Sequence, residues 1–187
     1  PSRNGKIAEK ALAEVFDRLL DAPELVQSKA IETATEMQLT SLTKDLFAKF
    51  QNESTPSSVR ITILNTLLKM NDSRLERAAT IANESNDTAL RLATLPVLAK
   101  LSPASSAPLL KQLAETGSAR EQRAAFKALG TMSHPIAISA LVDSLQRLKS
   151  GKIPNSAQLE LLEAAESVNH PQINLALEAR NKTISES

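Results

Sequence analysis

Residues 59–70 read VRITILNTLLKM, and four further segments share their pattern. The others are VQSKAIETATEM from residue 26, LRLATLPVLAKL from 90, EQRAAFKALGTM from 121 and AQLELLEAAESV from 157. Apolar residues recur three or four positions apart, as at Val59, Ile63, Leu67 and Met70, which predicts a helix with one buried side. Successive segments begin 33, 31, 31 and 36 residues apart, and a period of this length indicates an internal repeat.

Less regular helical patterns alternate with these five segments. They lie near residues 12–19, 42–50, 75–82, 109–113, 138–145 and 173–177 and are joined to them by short polar linkers. A helix pair of this size cannot bury its apolar side alone, so neighbouring pairs must stack. We therefore predict an all-α fold, an α-solenoid or superhelix of about five to six antiparallel helix pairs. A single solenoid domain over residues 1–187 follows from this pattern.

Pro, Gly and His residues predict where several helices end. Two segments are followed by His-Pro, at residues 134–135 and 170–171. We interpret each pair as the closure of an equivalent second helix, with Pro ending the helix and His favouring its C-terminal dipole. Gly117 is placed to end a helix in the left-handed conformation. Pro96 falls inside a segment, where we expect a kink.

Composition excludes several classes of function. The chain has no Cys, which removes disulfides, thiolate catalysis and Cys-based metal sites. Its aromatic residues are four Phe, with no Trp or Tyr, and each lies among aliphatic residues, so we predict that all are core. Proteins that bind single strands or flipped bases use exposed aromatic rings. The net charge of +1 further disfavours nucleic acid as a partner.

The openings of the repeated segments resemble those of HEAT repeats, in which an apolar residue and Arg begin the second helix. Here these are Val59-Arg60 and Leu90-Arg91, weakening to Glu121-Gln122-Arg123. The period is similar to that of the short bacterial form. The residues that mark tetratricopeptide and ankyrin repeats are absent. The resemblance implies a non-catalytic protein-binding solenoid.

Residues 59–178 resemble, more narrowly, the HEAT segment of large dehydrogenase-type proteins of planctomycetes. EQRAAFKALGTM and LQRLKSGKIPNSAQLELLEAAE carry this likeness. In that family a β-propeller precedes the HEAT segment and a c-type cytochrome domain follows it, and the protein is exported to the periplasm. The haem-attaching Cys-x-x-Cys-His is absent here. The resemblance, together with a start at Pro1 without Met, leads us to expect a fragment of a larger protein whose redox chemistry lies in flanking domains.

Basic residues recur at the repeat spacing and form our candidate binding site. Arg60 and Arg91 are 31 residues apart, as are Lys69 and Lys100. Since second helices line the concave surface of HEAT-like solenoids, a basic stripe there would bind an acidic peptide, an acidic domain or a phosphate backbone. The stripe consists of Arg60, Lys69, Arg91, Lys100, Arg123 and Lys127. The alternative is structural, with Arg60 and Arg91 binding carboxylates such as Glu53 and Asp87.

Enzyme signatures are missing from the sequence. There is no G-x-S-x-G elbow, phosphate-binding glycine loop or H-E-x-x-H, so we predict no catalytic residue, no metal and no cofactor. His134 and His170 stand a whole repeat apart, too far to share one ion. Glu160, Glu163 and Glu166 recur every three residues, and we interpret them as one solvated helix face. No apolar stretch is long enough to span a membrane.

These observations favour a non-catalytic scaffold whose partner is a protein, either flanking domains of the same chain or an acidic partner protein. Two alternatives stay open. One is a nucleic-acid-binding HEAT-like domain that uses the basic stripe. The other is an enzyme resembling the HEAT-like lyases that attach bilin chromophores, against which the absence of Cys and Tyr counts.

Overall fold

A computed structural model describes residues 15–185 of the chain. Within that range the ordered elements are helices, with no strand. They are α1 over residues 15–20, α2 (Glu24–Glu36), a 3-10 turn (Thr40–Leu42), α3 (Thr43–Gln51), α4 (Ser57–Lys69), α5 (Leu75–Asn83), α6 (Thr88–Leu101), α7 (Pro103–Thr116), α8 (Ala119–Leu129), α9 (Pro135–Lys149), α10 (Asn155–Ser167) and α11 (Pro171–Ser185). The predicted all-α, solenoid-type fold is confirmed.

The five repeated segments are the even-numbered helices, which we call the second helices. Each begins two residues before its segment, at Glu24, Ser57, Thr88, Ala119 and Asn155. The chain divides into two compact units, one ending at Arg91 and the other beginning at Leu92. The assignment of residues 1–187 to a single domain stays a prediction.

The first unit has its core where α2 and α3 pack on α4. Ile31 of α2, Phe50 of α3 and Ile63 of α4 are fully buried there. The Phe47 and Phe50 rings stack with centroids 6.3 Å apart. Burying a side chain of this size contributes roughly 1.5–3 kcal/mol, so the apolar side of each helix is held by its neighbours.

The second unit is built around Phe126 of α8, which is fully buried among residues of α7, α9 and α10. The helix α8 packs on α7 and α10, and α9 packs on α7 and α11. Gly130 lies so close to α10 that a Cβ there would stand 2.8 Å from the Cα of Ala164. All four Phe are buried, as predicted, the others being Phe16, Phe47 and Phe50.

The helix ends differ from the prediction. Gly117 ends α7 with φ −69° and ψ 162°, an extended conformation and not a left-handed one. Among the described residues, Gln38 after α2, Asn71 after α4 and Gly151 after α9 are left-handed. Each lets the next amide return to a carbonyl inside the helix, as Asp72 N does to Leu67 O at 3.0 Å.

The His-Pro pairs begin helices and do not close them, so that interpretation was wrong. α8 ends at Leu129, and Pro135 is the first residue of α9. The Nδ1 of His134 accepts a hydrogen bond from the Ile136 amide at 3.3 Å. His170 does the same for Gln172 at 3.4 Å, before α11. Pro is favourable at a first helical position, because its missing N–H has no partner there anyway.

Pro96 lies inside α6, as expected. The kink that we predicted at this position stays a prediction.

Candidate binding surface on the second helices

The fourth residue of every second helix is a long polar side chain. It recurs at the repeat spacing, and three of the five are glutamines that the basic pattern did not reveal. The five are Gln27, Arg60, Arg91, Gln122 and Gln158. Gln27, Arg91 and Gln158 each contact the loop that precedes their helix, and Arg60 contacts the last turn of α3.

Arg60 is buried, with 8% of its surface exposed. Its Nε donates a hydrogen bond to the carbonyl oxygen of Phe50 at 2.9 Å. Its Cζ also lies 5.1 Å from the centroid of the Phe50 ring, within the range of a cation–π contact. The guanidinium therefore joins the last turn of α3 to the first turn of α4.

Three of the other residues at this fourth helical position also bind main-chain carbonyls. Arg91 donates to the carbonyl of Ser85 at 2.6 Å and to the hydroxyl of Thr88 at 3.0 Å. Gln27 and Gln158 each donate to a carbonyl five residues earlier, at 2.7 Å and 3.1 Å. These contacts hold the loop against the helix that follows it.

Both arginines thus have structural contacts, as the structural alternative expected, and for Arg60 the partner differs from the predicted one. Arg60 binds a carbonyl and a ring instead of the Glu53 carboxylate. Asp87 uses its carboxylate to accept from the amides of Ala89 and Leu90, at 2.7 Å and 3.3 Å, and so caps α6. An aspartate just before a helix is well placed for that role, because the first amides lack helical partners.

Arg123 pairs with a carboxylate of the next second helix. Its Nε and Nη2 both lie 2.7 Å from Oε1 of Glu160, whose side chain is only 7% exposed. Burial alone would raise the pKa of Glu160, but the hydrogen bond from Arg123, a main-chain amide and the charges of Arg123 and Lys127 together lower it. Glu160 is therefore a buried, ionised member of the α8–α10 interface.

The interpretation of three glutamates as one solvated face holds for two of them. Glu163 and Glu166 are exposed, whereas Glu160 is buried. In a regular helix a residue three positions on is rotated by about 60° from the first. That rotation is enough to turn Glu160 toward α8 and leave the other two outside.

The three lysines of the predicted stripe are exposed. Lys69 belongs to the first unit, and Lys100 and Lys127 belong to the second. Lys69 lines a polar groove between α2 and α4, together with Glu32 and Glu36 of α2. The hydroxyls of Thr35 and Thr66 meet beneath it at 2.7 Å. Binding by the six residues of the stripe stays a prediction.

No group of three or more His, Asp or Glu side chains is arranged to hold a metal ion within the described part of the chain. The two histidines cap separate helices, α9 and α11. Over the same residues, no helix combines the length and the apolar character needed to cross a membrane.

Comparison with protein families shows a similarity to HEAT repeats over part of the chain. No curated protein matches the chain significantly. A family model of HEAT repeats matches residues 75–161, which covers α5 to the middle of α10. This part of the chain is therefore similar to HEAT repeats, which commonly mediate protein–protein interaction or serve as non-catalytic scaffolds.

Proposed function

We propose that this chain is a non-catalytic scaffold that binds protein partners through its second helices. The match to HEAT repeats over residues 75–161 carries this proposal. The contacts of Arg60, Arg91 and Gln158 support it, because these buried or half-buried side chains bind main-chain carbonyls and so serve the fold. The exposed side chains of the same helices form the surface that a partner would meet.

The partner that we propose is an acidic protein segment, which the basic stripe would attract. Lys69, Lys100 and Lys127 are its exposed lysines, while Arg60 and Arg91 hold main-chain carbonyls. Positive side chains on a surface raise the association rate of an acidic partner, and added salt weakens that effect. Substitution of the lysines should therefore weaken binding, and substitution of Arg60 should lower stability.

A poly-glutamate peptide and a DNA duplex distinguish the two partner classes. Binding of each would be measured by fluorescence anisotropy, using the wild type and a triple variant, K69E/K100E/K127E. The matched control is K44E/K149E/K152E, which reverses three other exposed lysines. The proposal is supported if the wild type and the control variant bind the peptide and K69E/K100E/K127E does not. Binding of the duplex alone would favour the nucleic-acid alternative, and binding of neither would remove the stripe as a site.

We also propose that the native protein is larger and carries dehydrogenase and cytochrome c domains beside this one. The resemblance of residues 59–178 to planctomycete dehydrogenase-type proteins supports this. An antibody to the chain, used on extracts of the source cells, would report the size of the native polypeptide, and the same gel would be stained for covalently bound haem. A haem-carrying band much larger than 20.1 kDa is the expected result, and a haem-free band near that mass would overturn it.

A further inference from the structure

A cavity of about 400 Å³ lies in the first unit, between the loop that follows α3 and the loop that follows α5. We call it the Arg60 cavity. Its lining residues are Glu53, Arg60, Ile81, Glu84, Ser85 and Asn86. Pockets that hold small molecules have volumes of roughly 300–1,000 Å³ and carry a few polar groups that orient the ligand. The Arg60 cavity has that size and that kind of lining.

The guanidinium of Arg60 has an unused edge at this cavity. Its Nε binds the Phe50 carbonyl, and its face lies on the Phe50 ring. Among residues 15–185 neither Nη nitrogen has a hydrogen-bond partner, although the side chain is buried, and neither is sealed from solvent. Unpaired donors of a buried cation cost free energy, so an acceptor is expected at this edge. The edge that the two Nη atoms form matches the two oxygens of a carboxylate.

Two exposed glutamates, Glu53 and Glu84, line the same cavity. Neither forms an ion pair with Arg60 or with another cation in the part of the chain that the structure describes. The nearby Arg91 uses its guanidinium on the Ser85 carbonyl and the Thr88 hydroxyl. One cation and two carboxylates make the lining negative on balance, so a simple anion would be repelled by the glutamates and a simple cation by Arg60. The lining therefore fits a molecule that carries a carboxylate and a cation together.

We propose that the Arg60 cavity binds a free α-amino acid with an aliphatic side chain. The carboxylate of the ligand accepts from the two Nη atoms of Arg60, and its ammonium group donates to Glu53 and Glu84. Its aliphatic side chain lies on Ile81, the large apolar residue of the lining. The ligand contacts α4 and the loops that follow α3 and α5 at once, so its binding stabilises the first unit.

Three matched ligands test the chemistry of the site. Leucine carries both charged groups, 4-methylpentanoate has the same carbon skeleton without the ammonium group, and 3-methylbutylamine lacks the carboxylate. Each would be titrated into the whole chain near neutral pH and its dissociation constant measured by ligand-observed NMR. Leucine should bind, and the other two should bind at least roughly tenfold more weakly, because each loses one set of charge-assisted hydrogen bonds.

Substitutions of the lining test its geometry. E53Q/E84Q changes only exposed side chains, so the fold should be kept. It should weaken leucine binding roughly fivefold, because the ammonium group loses both carboxylates, and strengthen 4-methylpentanoate binding roughly twofold, because the repulsion is removed. R60K, which lacks the planar pair of donors, should weaken both ligands roughly tenfold, with circular dichroism as the check on its fold. The matched control is E76Q, which removes an exposed carboxylate of α5 outside the cavity and should change neither dissociation constant.

The opposite effects of E53Q/E84Q on the two ligands are the result that supports the proposal. It is overturned if the wild type binds no leucine, if leucine and 4-methylpentanoate bind equally well, or if E76Q has the same effect as E53Q/E84Q. Binding of 4-methylpentanoate to E53Q/E84Q, with no ligand bound by the wild type, would also overturn it. That result would mean that a glutamate of the lining pairs with Arg60 in solution and fills the site itself.

Discussion

The Arg60 guanidinium donates to the Phe50 carbonyl at 2.9 Å and covers the ring of the same residue. The two residues belong to different helices, α4 and α3, with a five-residue loop between them. One buried side chain thus fixes both the end of α3 and the start of α4. This relationship explains why Arg recurs at this place in the repeat without requiring a ligand.

Replacing Arg60 should destabilise the fold. Arg60→Ala removes a buried hydrogen bond and the packing of the guanidinium on Phe50, at a cost of about 2–3 kcal/mol. Arg60→Lys should recover part of this, because it keeps the charge over the ring and loses the planar donor. Urea unfolding measures both, with Lys69→Ala as an exposed control expected to change stability by less than about 0.5 kcal/mol. Equal stability of Arg60→Ala and the control would contradict a structural role.

The Arg123–Glu160 pair should make stability depend on pH in the acid range. Because the pKa of Glu160 is lowered on folding, its charged form stabilises the protein fully above the ordinary value of 4.5. That contribution is lost as the pH falls through the lower value of the folded state. The free energy of unfolding of Glu160→Gln should therefore fall less steeply over the same acid range.

The same pair should show coupling in a double-mutant cycle. Arg123→Ala should cost about 1–2 kcal/mol near neutral pH, because it leaves a buried carboxylate with fewer partners. The cost is moderate since the Arg123 side chain is 48% exposed and water screens the pair. In the Glu160→Gln background the cost should be smaller. An unchanged cost in that background would mean that Arg123 acts elsewhere.

Gly130 should not tolerate a side chain. A Cβ at this position would stand 2.8 Å from the Cα and 2.9 Å from the Cβ of Ala164, so Gly130→Ala should cost about 1–3 kcal/mol through overpacking. Gly151→Ala is the comparison, because its space is open and its φ of +67° costs only about 1 kcal/mol. Thermal unfolding of both variants would decide, and a smaller loss for Gly130→Ala than for Gly151→Ala would be inconsistent with the close approach.

Ser144 offers a stabilising substitution. Its Oγ is buried in α9 and has no hydrogen-bond partner among the described residues. Ser144→Ala removes this unsatisfied hydroxyl and improves helix propensity, so stability should rise by about 1 kcal/mol. Ser139→Ala on the same helix removes an exposed hydroxyl that bonds Asp143 at 3.3 Å and should give no comparable gain. A loss of stability in Ser144→Ala would show that the hydroxyl has a partner in solution, such as a bound water.

Local pattern was sufficient for the helices. The repeated segments begin two residues inside the five second helices. They could be located because apolar residues three and four positions apart mark a helix in the sequence itself. It was insufficient for the helix ends. The sequence suggested that His134 follows its helix, yet the residue precedes α9 as an N-terminal cap, and a Pro after His is compatible with either place.

The candidate site, too, was only partly predictable from the sequence. The sequence by itself determined the repeat, the helical fold class and the register that puts Arg60 and Arg91 at one position of successive second helices. Only the tertiary structure decided that these arginines hold carbonyls and that Arg123 pairs with Glu160, 37 residues away. The physical reason is distance along the chain. Periodicity reports which side of a helix is apolar, whereas the partner of a polar side chain is set by whichever helix packs against it.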